Sequence, residues 1–143
     1  MKPITTIVSA IVLAAMTGCT ATRSMTGHIP RGKTVYVMSD RELDDYTIHN
    51  AIIGELQKRG HRVVDAGDKA PASAQGSLVL HYLDDWSWDM CMYLAALNIR
   101  VLDGSTSEPV AIGTYRTPFL HNYANSVKEV SMLFSRLDNQ RPL

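Results

Sequence analysis

Runs of alternating or helically spaced apolar residues, broken by turn residues, let most of the secondary structure be drawn directly from this chain. Residues 4–15 form one predominantly apolar stretch, too short for the roughly 18–20 residues that span a bilayer. Residues 20–32 show no periodicity and are rich in Thr, Ser, Gly, Arg and Pro, which predicts a flexible tether. Residues 33–38 (Lys-Thr-Val-Tyr-Val-Met) are β-branched and aromatic, hence a first strand. Ser39 and Glu42 form an S-x-x-E capping box that predicts a helix from about Asp40. Ile48, Ile52, Ile53 and Leu56 give that helix one apolar face, and Gly60 a left-handed stop after Lys58 and Arg59. Strands follow at 62–66, 77–88, 91–102 and 109–117, the 91–102 strand ending at Asp103-Gly104 and the last at Pro118. A final helix over 123–137 presents Val127, Val130, Phe134 and Leu137. The order is β-α-β-β-β-β-α, an α/β (α+β) arrangement best packed as a mostly antiparallel sheet with two helices on one face.

The apolar stretch at the start takes its meaning from its flanks. Lys2 precedes it, and Met16-Thr17-Gly18-Cys19 closes it with small residues before a cysteine. This resembles a bacterial lipoprotein signal with its lipobox. The resemblance implies removal of residues 1–18 and a lipidated Cys19 at the mature N-terminus, held by several acyl chains because one chain alone anchors only reversibly. Thr20 stands where an aspartate would imply inner-membrane retention, so the resemblance implies the outer membrane, with the domain facing the periplasm. The expected division is a signal at 1–18, a lipidated tether at 19–32 and one domain at 33–140.

The element order with this leader resembles the small periplasmic α/β modules of the curli-secretion CsgG type, the penicillin-binding-protein activator LpoB and the TolB N-terminal domain. The stretch Trp86-Ser87-Trp88-Asp89-Met90-Cys91-Met92-Tyr93-Leu94 is similar to one in small proteobacterial outer-membrane lipoproteins. These likenesses suggest a family and leave the job open.

Charge narrows the partners. Lys and Arg number 14, as do Asp and Glu, so the formal charge is zero and falls to −1 once Lys2 leaves with the signal. No strongly basic face is available to nucleic acid. Two cysteines occur; lipidation consumes Cys19 and leaves Cys91 alone in an apolar run, where it reads as a small buried hydrophobe.

The segment from His81 to Asp89 holds both tryptophans, three carboxylates and a histidine. On a strand, Trp86 and Trp88 share one side, continued by Met90 and Met92. That side either faces the helices as core or is partly exposed as a partner site, with Tyr82, Trp86, Trp88, Asp85 and Asp89 as the candidate contacts. His81 with Asp84, Asp85 and Asp89 could hold a hard cation or divide acid and base roles, but Asp84 faces opposite to Asp85 and Asp89 on a regular strand. Asp84-Asp85 reads more simply as a solvated edge or bulge. His49 flanks the apolar stripe of the first helix as a surface residue, while His61 and His121 border loops and His28 lies in the tether. The basic run from Lys58 to Arg62 is first of all a helix C-terminus. No nucleophile elbow, Cys-His pair or phosphate-cradling glycine loop occurs, and no cofactor, metal or catalytic residue is expected.

The reading that results is a non-enzymatic, lipid-anchored interaction module for envelope assembly or maintenance. It meets envelope proteins, and a homo-oligomer is among the assemblies it allows. Peptidoglycan or another envelope ligand is the alternative partner, and a small hydrolase using Asp84, Asp85 and Asp89 the alternative activity.

Overall fold

The structure, a computed structural model, describes residues 20–39, 46–69, 74–118 and 123–139. Six strands form one sheet: β1 (Thr22–Gly27), β2 (Thr34–Ser39), β3 (Arg62–Gly67), β4 (Leu78–Asp89), β5 (Cys91–Asp103) and β6 (Pro109–Arg116). Helix α1 (Thr47–Lys58) lies between β2 and β3, and α2 (Ser126–Asp138) follows β6. The spatial order is β1-β6-β5-β4-β2-β3. The pairs from β1 to β4 are antiparallel, whereas β2 runs parallel to both β4 and β3. The expected α+β fold, a mostly antiparallel sheet carrying two helices, is the one observed.

One face of the sheet carries both helices, and the core lies between. Val35 and Val37 of β2, Leu80 of β4, and Leu97, Ile99 and Val101 of β5 alternate into it. Ile48, Ile52 and Leu56 of α1 meet them at helical spacing, with Val130, Leu133 and Phe134 of α2 beside them. Each of these side chains is worth roughly 1.5–3 kcal/mol when fully withdrawn from water. Arg59 joins the two helices: its Nη2 donates to Asp138 Oδ2 at 2.7 Å and its guanidinium sits 5.3 Å from the Phe134 ring centroid. The basic run therefore has structural work, as a helix terminus should. Gly60 takes φ +80 immediately past the end of α1, the left-handed stop the sequence predicts.

Three expectations are corrected. Residues 22–27 are not tether: they form β1, paired along its length with β6. Met25 and, just beyond the strand, Ile29 are buried in the core. Arg23 reaches α2, where its Nη2 donates to Glu129 Oε1 at 2.7 Å, and its guanidinium lies 5.8 Å from the Tyr115 centroid. Gly27, at φ +100, ends the strand where any Cβ would run into the Val110 carbonyl. The second correction concerns the capping box. Ser39 is the buried last residue of β2, and α1 starts at Thr47 after Tyr46, which makes no side-chain cap. Glu42 and the predicted start at Asp40 lie outside the described residues, as does His121. Third, Val127 lies on the exposed side of α2 rather than in the buried stripe.

Candidate functional site: an uncovered sheet face and a projecting hairpin

Among the described residues, the second face of the sheet carries no helix. Strand register sets its cross-strand rows: Thr26, Ile112, Arg100, His81 and Met38 in one, and Ser24, Thr114, Asn98 and Leu83 in the next. Near β2 and β3, Met38 and Val79 are covered together with Ala74, Tyr36 and Ala66 in a small second cluster. The centre stays open. There His81, Leu83, Asn98, Arg100, Leu102 and Ile112 line a shallow groove of about 830 Å³. Leu83 is 40% and Ile112 43% exposed, large apolar side chains flanking one guanidinium and one imidazole. This mixture suits a protein surface, where a few apolar anchors sit among polar groups.

At one end of the sheet, β4 and β5 run on past their neighbours. The β2–β4 pairing ends at Ser39–Tyr82, and the β5–β6 pairing begins at Ala96–Arg116. Beyond it, past the Thr117 N–H that donates to the Ala95 carbonyl, the two long strands pair with each other among the described residues, Trp86 with Leu94, Trp88 with Met92 and Asp89 with Cys91. A bulge at Asp85/Trp86 sets off this hairpin: Asp85 pairs with Ala96 and Trp86 with Leu94, leaving Ala95 extra. Met90 makes the turn at φ 62. The tip is apolar and open, with Trp88 70%, Met90 85% and Met92 59% exposed. Tyr123, from the segment before α2, braces it: its hydroxyl donates to the Asp89 carbonyl at 2.6 Å, and its ring meets Tyr93 edge-on at 5.9 Å.

The candidate contacts read from the sequence are thus divided. Trp88 and Asp89 are exposed at the tip and Asp85 is exposed at the hairpin base. Trp86 is half-buried, packs on the core and donates its indole N–H to Asp84 Oδ2 at 2.6 Å. Tyr82 is buried in the core and is no surface contact. Asp84 is likewise buried beneath Trp86 rather than solvated, on the side opposite Asp85, so the three aspartates converge on no common site. Cys91 is an exposed free thiol, not the buried hydrophobe its apolar neighbours suggest. Among the described residues, no group of three or more His, Cys, Asp or Glu side chains is arranged to hold a metal ion. Nor is any helix among them long and apolar enough to cross a membrane.

One polar array escaped the sequence reading. His49 is buried against β4, not on the surface of α1. Its Nδ1 lies 3.0 Å from the Tyr82 hydroxyl, which also hydrogen-bonds Ser39. Its Nε2 lies 3.0 Å from Asp65 Oδ2 without meeting hydrogen-bond geometry. Burial raises the Tyr82 hydroxyl above its usual range and outweighs the Ser39 bond, with the Asp84 and Asp65 carboxylates pushing the same way. Tyr82 is therefore a neutral hydrogen-bonding post, and the array ties α1 to β2, β3 and β4. Ile48 and Ile52 could have signalled it: in helical spacing His49 falls next to Ile52 and Ile53 on the inward side.

No protein-family model matches this chain, and no curated protein does. Among solved structures it is similar to the PelC dodecamer from Paraburkholderia phytofirmans, at 17% identity and a TM-score of 0.55, over 82% of this chain and 94% of that one. A single-substitution variant of that PelC dodecamer is similar at 18% identity and a TM-score of 0.54, over 82% and 95%. At such identity the likeness is one of fold, over nearly the whole of the other chain.

Proposed function

We propose that this chain is a lipid-anchored, non-enzymatic module of the bacterial envelope, attached to the outer membrane through Cys19 and facing the periplasm. It serves envelope assembly or maintenance by protein contact, and its first partner is a second copy of itself. The observation that carries this reading is the uncovered face of β4, β5 and β6, where Leu83 and Ile112 stand exposed beside Arg100. A two-layer fold buries one side of its sheet, and a partner is the ordinary way to cover apolar residues on the other. The fold-level likeness to dodecameric PelC supports a copy of the same chain as that partner.

The reading is tested by mass measurement of the mature domain, residues 19–143 with Cys19→Ser, across a range of concentrations. The expected result is a closed multiple of the protomer mass that Ile112→Asp reduces to monomer without unfolding it. A monomer at every concentration would overturn self-assembly. The anchor is tested separately by mass spectrometry of the N-terminal peptide from envelopes: acyl chains on Cys19 are expected, and an unmodified Cys19 would overturn it.

A further inference from the structure

We infer that the tip of the β4–β5 hairpin seats in the surface of a phospholipid bilayer, with Trp88, Met90 and Met92 as the inserted side chains. This rests on the anchored reading proposed above and adds a second point of attachment. Register places both points at the same end of the sheet. Thr22, the first residue of β1, pairs with Arg116, and Arg116 pairs with Ala96 at the base of the hairpin. Two strand spacings, about 10 Å, therefore separate the start of β1 from the hairpin base. Before Thr22 the chain leaves the sheet on the side to which the hairpin points. Cys19 precedes Thr22 by three residues, a reach of roughly 10 Å at most. A lipid on Cys19 thus holds this end of the domain against the bilayer, and the exposed apolar tip is what projects there.

The chemistry of the tip fits lipid. From Leu94 to Met90 the hairpin extends about 13 Å, enough to sink its last turn the 5–10 Å that interfacial segments reach. Its strands pair across the hairpin as far as Asp89–Cys91, while alternate backbone groups on its two outer edges stay unpaired, which confines the seating to the hydrated interface rather than the hydrocarbon. Above the tip, Tyr93 and Tyr123 meet edge-on, and the exposed Val127 lines one shallow pocket with them and Met92. Aromatic rings with a polar handle favour this depth. No Lys or Arg lies between Asp84 and Ile99, while Asp85 and Asp89 do. The occupant is accordingly a zwitterionic lipid surface entered by apolar contact; anionic lipid should weaken the seating rather than strengthen it.

The test uses the whole mature chain and its Trp88→Phe variant, so that the difference between their emissions belongs to Trp88. Both are held on phosphatidylethanolamine/phosphatidylcholine vesicles in two ways: through the lipid on Cys19, and, in Cys19→Ala chains, through an N-terminal histidine tag on a chelating lipid. With brominated acyl chains, Trp88 emission should fall roughly twofold and shift to the blue in both arrangements, as for an indole at the acyl boundary. Adding anionic lipid should reduce the effect. Unquenched, water-like emission on tag-held vesicles would overturn the inference whatever the state of Cys19. A blue shift already present without vesicles and rising with protein concentration would also overturn it, assigning the tip to a second copy. A chain that fails to bind through Cys19 yet is quenched when tag-held supports the tip and rejects the anchor.

Discussion

Single residues separate two roles that adjacent tryptophans concealed. Trp86 packs on the core and binds Asp84, whereas Trp88 makes the exposed tip. Trp86→Ala is expected to lower unfolding free energy by about 3 kcal/mol, the range for truncating a large aromatic. Trp88→Ala should stay within about 0.5 kcal/mol of wild type, since it removes no buried contact. Urea unfolding of the two variants checks this, and equal losses would contradict the division. Arg23 and Glu129 form a second residue-level test. Glu129 is buried, and Arg23 meets both its carboxylate oxygens. Arg23→Met strands that carboxylate and should cost about 3 kcal/mol, while Arg23→Met with Glu129→Leu should recover most of the loss. A double variant as unstable as the single would show that the pair is not what holds β1.

At the scale of elements, local pattern found every strand and helix whose apolar residues repeat. Alternation gave β4 and β5, and the end of α1 was read correctly from Lys58, Arg59 and Gly60. It missed β1 because that strand buries a single apolar residue, Met25, and is fixed by Glu129, distant in sequence. It placed the start of α1 too early because the S-x-x-E spacing looks like a cap wherever it occurs, whereas Ser39 is spent in the buried contact with Tyr82. The C-terminal end of α1 also carries a pH dependence. Burial pushes the Glu55 carboxyl up, but hydrogen bonds from Lys58 and Arg59 outweigh it and leave it below the usual 4.5. Burial holds the His61 imidazole below the usual 6.5, against a hydrogen bond to the Lys33 backbone carbonyl. For both groups the unfolded chain takes up its proton first as pH falls, so acidification favours unfolding. Stability should decline from near the 6.5 of unfolded histidine downward, then again below the 4.5 of an unfolded glutamate. Thermal melts from pH 8 to 3 check this, and His61→Gln should remove the upper stage alone. A melting temperature that is flat between pH 7 and 5 in the unaltered chain would contradict the assignment.

At the scale of the whole molecule, the sequence made the architecture legible but only part of the candidate site. Trp88 and Asp89 stood out, because two tryptophans amid acids are conspicuous in any chain. The groove on the uncovered face did not: His81, Asn98, Arg100 and Ile112 come from three strands and meet only through register. Their side chains alternate with core residues and give no local signal that the face lacks a cover. Tyr82 was placed at the surface for the converse reason, since one strand cannot reveal which side the helices will take. Under the two proposals the domain has separate surfaces, one across the sheet and one at the end where β1 begins. On the proposed reading the uncovered face meets another copy of this chain, and cross-linking of the tagged full-length protein in intact envelopes is the decisive measurement. The expected result is a ladder of multiples of the protein's own mass, lost in Ile112→Asp and retained in Trp88→Ala. A ladder unchanged by Ile112→Asp, or cross-links to other proteins alone, would contradict it.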